Sequence, residues 1–258
     1  MHEILSVVFL LILVGLVVVP FAVFLRQRSD YSLWERVLYC PVYCFGRILW
    51  RVEVIGDAPR LAEAYPEGAI VVANHRCSLD PFFLQIAAGR RIHWMVAGEY
   101  FRNPIFGPIL RIFQAIPTNR SGADNAAIKM AIRLASEGRF VGMFPEGQIN
   151  RTQKPLLKIR SGAAMVATKS GAPLLPCWID GAPSGWDVWS GLFMAAHTRV
   201  FIGKAIDTKS TQRDQNASPE DLIERAMLSS LALGGHTQTN IELARRKNRI
   251  QGKNVLAR

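Results

Sequence analysis

The chain has 258 residues, of which 50% are hydrophobic, and a formal net charge of +11. That length fits one domain with an attached segment rather than two full domains, and a mean hydropathy of +0.14 is high for a freely soluble protein. The basic residues are scattered apart from the last fifteen positions, and no nucleic-acid-binding motif accompanies them, which argues against nucleic acid as the reason for the charge.

Residues 4–25, ILSVVFLLILVGLVVVPFAVFL, carry no charge. At about 1.5 Å per residue such a helix spans a hydrocarbon core of roughly 30 Å. A secretory signal is the rival reading, but the preceding Met-His-Glu has no Lys or Arg, the run is too long, and no cleavage site follows. A buried core helix fits less well, because the segment is apolar on every side. Residues 1–28 are therefore read as a membrane anchor. Arg26, Arg28, Arg36, Arg47 and Arg51 follow it, against His2 and Glu3 before it. The positive-inside rule then places the rest of the chain on the cytoplasmic side.

Residues 29–50 carry Trp34, Tyr39, Tyr43, Phe45 and Trp50 on a stretch with few charges. They read as a helix, bent near Pro41, lying at the membrane interface, with a buried helix of the globular domain as the alternative. Residues 51–210 then alternate strand and helix. Strands are predicted at 69–73, 91–98, 114–120, 140–145, 172–179 and 198–206; helices are predicted from 80, over 103–113, over 123–137 and over 161–171. This is the pattern of one α/β layered domain with a mixed, largely parallel sheet flanked by helices. A polar break at 208–218 precedes a last helix starting at Ser218 or Pro219. The basic tail that ends residues 211–258 suits an anionic leaflet or a solvated end.

The most informative stretch is AIVVANHRCSLDPFF, residues 69–83. An apolar strand ends at Ala73, and Asp80-Pro81 opens a helix as N-cap and first helical residue. The loop between them faces the ligand crevice of an α/β fold. Imidazole titrates near neutrality and can take a proton from an alcohol; a carboxylate on one ring nitrogen fixes the tautomer and steadies the imidazolium. A tight turn would join His75 to Asp80 for that purpose. In the other reading Asp80 only caps its helix. Cys77 offers a Cys-His nucleophile as a further possibility. Four cysteines at Cys40, Cys44, Cys77 and Cys177 give neither a disulfide framework nor zinc spacing, so no metal is expected.

NHRCSLD fits the N-H-x-x-x-x-D signature, and YFRNPIFGPILRIFQAIPTNR, FPEGQINRT and LLPCWIDGA follow it in order. With these blocks the chain resembles the glycerolipid acyltransferases, the family that includes 1-acylglycerol-3-phosphate acyltransferase, over roughly residues 50–207. The resemblance implies direct acyl transfer, with His75 and Asp80 catalytic and no covalent intermediate. It implies that Arg120 grips the acceptor's phosphate, that Glu146 and Gly147 help hold the acceptor, and that Pro176 helps shape the site. Arg160 stands where many relatives have a lysine. It further implies lysophospholipid and acyl-thioester substrates, with acyl-CoA or acyl-carrier protein as donor and no other cofactor.

Three departures bear on the acceptor. Ile149 stands where relatives have an arginine, Gly98 where they often have a lysine, and Gln114 and Asn119 replace a usual glycine and aspartate. Either Arg151 substitutes for a missing cation or the acceptor presents another head group. A non-catalytic lipid-binding protein and a hydrolase are the contrasting readings. Trp186 and Trp189 belong either to an apolar groove or to the core.

Overall fold

The computed structural model describes residues 31–56, 61–119, 125–184, 188–208 and 218–236. The expected anchor at 4–25, Arg120, Trp186 and the basic tail lie outside the described residues. Among the described residues no helix is long and apolar enough to cross a membrane.

The centre is a seven-stranded sheet of β1 (Glu53–Ile55), β2 (Ile70–Val72), β3 (Ile92–Ala97), β4 (Ile116–Thr118), β5 (Phe140–Met143), β6 (Leu174–Asp180) and β7 (Arg199–Ile202). Their order is β1-β7-β6-β2-β5-β3-β4. The five from β6 to β4 run parallel, while β7 is antiparallel to β6 and β1 is parallel to β7. The sheet is therefore mixed and largely parallel, as the alternation of elements predicts. β2 lies at its middle, between β5 and β6, and every residue of it is buried. That explains its uninterrupted apolar run: Ala69, Val71 and Ala73 face one core and Ile70 and Val72 the other.

The helices are α1 (Leu33–Ile48), α2 (Leu61–Ala64), α3 (Asp80–Ala88), α4 (Gly98–Phe101), α5 (Phe106–Ile112), α6 (Asn125–Ser136), α7 (Gly162–Ser170), α8 (Val188–Leu192) and α9 (Pro219–Leu233). Helices α1 and α3 cover one face of the sheet; α6, α7 and α9 cover the other. Small residues let α6 and α7 pack closely: Ala127, Ala131 and Ala135 meet Ala163, Ala164 and Ala167. Helix α9 starts as expected, with the Ser218 hydroxyl accepting from the Asp221 amide and Pro219 in the first turn.

Helix α1 forms within residues 29–50. Ser32 and Glu35 form a reciprocal capping box at its start. Glu35 also pairs with Arg91 at 2.6 Å, both side chains being nearly buried, and Gln85 donates to the Tyr31 hydroxyl at 2.8 Å. The helix is thus bolted to the α/β body, with Tyr39 buried beneath it. Its other side leaves Val37, Pro41, Cys44, Arg47 and Ile48 exposed.

The helix expected over 103–113 is present as α5, with the Asn103 side chain accepting from the Ile105 and Phe106 amides at its start, and the short α4 before it is an addition to the expected elements. One expected element changes. The strand expected over 198–206 stops at Ile202; the Gly203 amide turns to the Pro176 carbonyl, and only an isolated bridge from Ile206 to Leu174 continues it.

Candidate active site

The parallel strands β2, β3, β5 and β6 all deliver their following loops to one edge of the sheet, and the site is built there. Asn74 leaves β2 first. Its buried amide donates to the Ile179 carbonyl at 2.9 Å and accepts from the Ile179 amide at 2.8 Å, pinning the strand end to β6.

His75 follows and is held on every side. Its Nδ1 lies 2.9 Å from Oδ2 of Asp80, with 16% of the histidine side chain exposed and none of the aspartate's. The same Oδ2 accepts from the Arg76 amide at 2.7 Å and the Cys77 amide at 2.8 Å. Asp80 is the first residue of α3 and Leu79 occupies the N-cap, so the carboxylate caps no free helix amide. It folds the preceding loop around itself instead, a correction to its expected place as N-cap. With Nδ1 turned to Asp80, Nε2 has no hydrogen-bond partner among the described residues and is the free end of the ring.

The imidazole also lies flat on Phe144, ring centroids 4.0 Å apart and planes within 10°; Phe144 in turn stacks on Trp94 at 4.9 Å and 10°. Gly142 makes room for this column: a Cβ there would stand 2.4 Å from the Trp94 ring. Residue patterns did not single out Phe144 or Trp94. A glycine inside a buried strand is the one signal that points to such a close approach.

Glu146 is buried, and its two oxygens accept from the His75 amide and the Leu157 amide, each at 2.8 Å. Burial pushes its carboxyl up, the Leu157 and His75 amides pulling the other way. The His75 carbonyl accepts from the Asn150 amide at 2.7 Å. The third block therefore grips the histidine's backbone from both sides. Gly147 has φ +69, a conformation that favours glycine, and a Cβ on it would lie 3.0 Å from the guanidinium carbon of Arg160. Arg160 lies over this turn with its side chain exposed.

Arg151 stands exposed on the next loop. Asn150, buried beside it, donates to the Lys154 carbonyl and accepts from the Thr152 amide and hydroxyl. Arg76 reaches across to the carbonyls of Thr152 and Lys154 at 2.8 and 3.1 Å. Neither Asn74, Asn150 nor Arg76 was among the expected site residues; their roles lie in contacts distant in sequence. His75, Asp80, Glu146, Gly147 and Arg160 thus converge on one edge, Arg151 is tethered to it through Asn150, and Pro176 pairs with Val72 inside the sheet.

Cys77 is 2% exposed, and burial first, then the Asp80 charge, pushes its thiol up to about 11. At pH 8 the thiolate fraction is on the order of one in a thousand, which disfavours it as a nucleophile. Turnover should survive Cys77→Ala and brief iodoacetamide treatment at pH 8. Complete loss on alkylation, with Cys77 the modified residue by peptide mass, would restore it.

Residues 51–180 match the Acyltransferase family model. The 1-acyl-sn-glycerol-3-phosphate acyltransferase of Bacillus subtilis is 30% identical over 54% of this chain and 67% of its own length. That of Streptococcus pneumoniae is 27% identical over 62% of this chain and 58% of its own. Among solved structures, the 1-acyl-sn-glycerophosphate (LPA) acyltransferase PlsC of Thermotoga maritima shares the fold, with a TM-score of 0.59 and 20% identity over 91% of this chain and 97% of its own. The family match falls on the segment that carries the His75–Asp80 pair and the loops holding it, and the chain belongs to the glycerolipid acyltransferase family and is an acyltransferase.

Proposed function

We propose that the enzyme moves a fatty acyl group from a thioester, acyl-CoA or acyl-carrier protein, to the free hydroxyl of 1-acylglycerol-3-phosphate at a membrane surface. The observation that carries this reading is the His75 geometry: one ring nitrogen bound to a buried carboxylate, the other with no hydrogen-bond partner among the described residues. Nε2 takes the proton of the acceptor hydroxyl as that oxygen attacks the thioester carbonyl. The imidazolium so formed is steadied by Asp80, and the thiol leaves once the proton is returned to its sulfur. Glu146 acts on this chemistry by fixing the His75 backbone. Arg160 over the Gly147 turn, Arg151 and Arg120 supply cations for the acceptor's phosphate.

Ile149 and Gly98 favour a second reading, a lysophospholipid acceptor whose head group needs fewer cations. The test is the purified full-length protein in detergent, given a labelled acyl thioester and a panel of lysophospholipids. Diacyl product from 1-acylglycerol-3-phosphate, with Arg120→Ala raising the acceptor KM about tenfold or more, is the expected result. Preference for another head group selects the second reading; free fatty acid alone makes the protein a hydrolase.

A further inference from the structure

Exposed apolar side chains collect at the catalytic edge from three separate segments. Ile48 at the end of α1 is 78% exposed, Trp189 in α8 is 50%, Phe193 just beyond it is 69%, and Ile105 before α5 is 54%. Two aromatic contacts tie the three segments together. Phe45 meets Phe193 at 6.0 Å between ring centroids, Trp189 lies four residues before Phe193, and Phe106 meets Trp189 at 5.7 Å. α5 follows β3 and α8 follows β6, so their contact spans the ends of β2 and β5 that lie between those strands. α8 also sits on the catalytic loop: a Cβ on Gly191 would be 3.3 Å from Leu79 and 3.8 Å from the Cys77 sulfur.

Large aromatic residues left half in water are costly unless something covers them. The surroundings identify the cover. Arg47, Arg51 and Arg102 are exposed beside the rim, and Arg51 reaches the Ala196 carbonyl next to Met194. An aromatic and aliphatic strip bordered by arginines suits the interface of an anionic bilayer, rings in the headgroup boundary and cations on phosphates. Helix α1, which forms one end of the strip, begins at Leu33, with residues 26–32 between it and the apolar residues 4–25.

We propose that this rim, Ile48–Phe193–Trp189–Ile105, is a bilayer-docking surface separate from residues 4–25, and that it seats the catalytic edge in the leaflet so that lipid chains reach His75 without crossing water. It rests on the lipid acyl transfer proposed above.

The test uses the full-length protein in vesicles of phosphatidylcholine and phosphatidylglycerol with brominated chains. Trp189→Phe should remove part of the bromolipid-quenched fluorescence. Trp189→Ser/Phe193→Ser should cut turnover of vesicle-embedded lysophospholipid on the order of tenfold or more, leaving turnover of a short-chain monomeric one within about twofold. Quenching unchanged by Trp189→Phe overturns the proposal; protection of Trp189 from acrylamide then assigns the rim to residues 4–25 or a second copy, and accessibility makes it wet surface. Equal loss in both media, with an unaltered circular dichroism spectrum, also overturns it, as a general requirement for activity. Absence of transfer by the wild type in either medium would sink the proposed reaction, while the quenching result still decides the rim.

Discussion

Replacing His75 by alanine is expected to lower turnover by roughly 10² to 10⁴ while the protein stays folded. The two effects separate because the fold holds the backbone at this position, not the ring. The His75 amide still donates to Glu146 and its carbonyl still accepts from Asn150. Asp80 keeps the Arg76 and Cys77 amides on Oδ2, so its carboxylate is not stranded when the imidazole goes. What disappears is the free Nε2 and the ring resting on Phe144. Initial rates at saturating donor and acceptor, with a thermal melt of the same sample, test this. Near wild-type turnover would remove His75 as the base, and a collapsed melt would make the ring structural.

How much of this was legible in the sequence follows from the range of each interaction. The His75–Asp80 pair closes over a loop of five positions and leaves its mark in local spacing. The middle strand β2 was legible because burial on both faces demands a continuous apolar run. The aromatic column was not: Phe144 reaches His75, and Trp94 reaches Phe144, only because β5 lies between β2 and β3, and strand order is set by packing across the whole domain. Glu146 shows the same limit in a sharper form. Its block was recognisable, yet that both oxygens serve backbone amides, one 71 positions away, is written in no local pattern. The start of α5 was legible because Asn103-Pro104 is a helix start of ordinary chemistry, whereas the four residues of α4 are too few to leave a periodic pattern.

Asp80→Asn is the sharper probe of the mechanism, with an expected loss in kcat on the order of 10² or more and little change in melting temperature. The loop asks only for one acceptor oxygen: the Arg76 and Cys77 amides and Nδ1 all turn to Oδ2. An asparagine carbonyl can occupy that place. The other carboxylate oxygen, Oδ1, is buried with no hydrogen-bond partner among the described residues. A buried orphan acceptor costs about 1–3 kcal/mol, which a purely structural role does not require. The charge has a use only when His75 carries a proton, and that happens during the reaction. Asparagine should therefore keep the loop and lose the rate. Alanine should lose both, because the buried Cys77 amide is left unpaired. If the asparagine variant turns over like the wild type, the charge is idle and Asp80 is a loop brace. If it melts as low as the alanine variant, the carboxylate's work is in the fold, and His75 acts without an electrostatic partner.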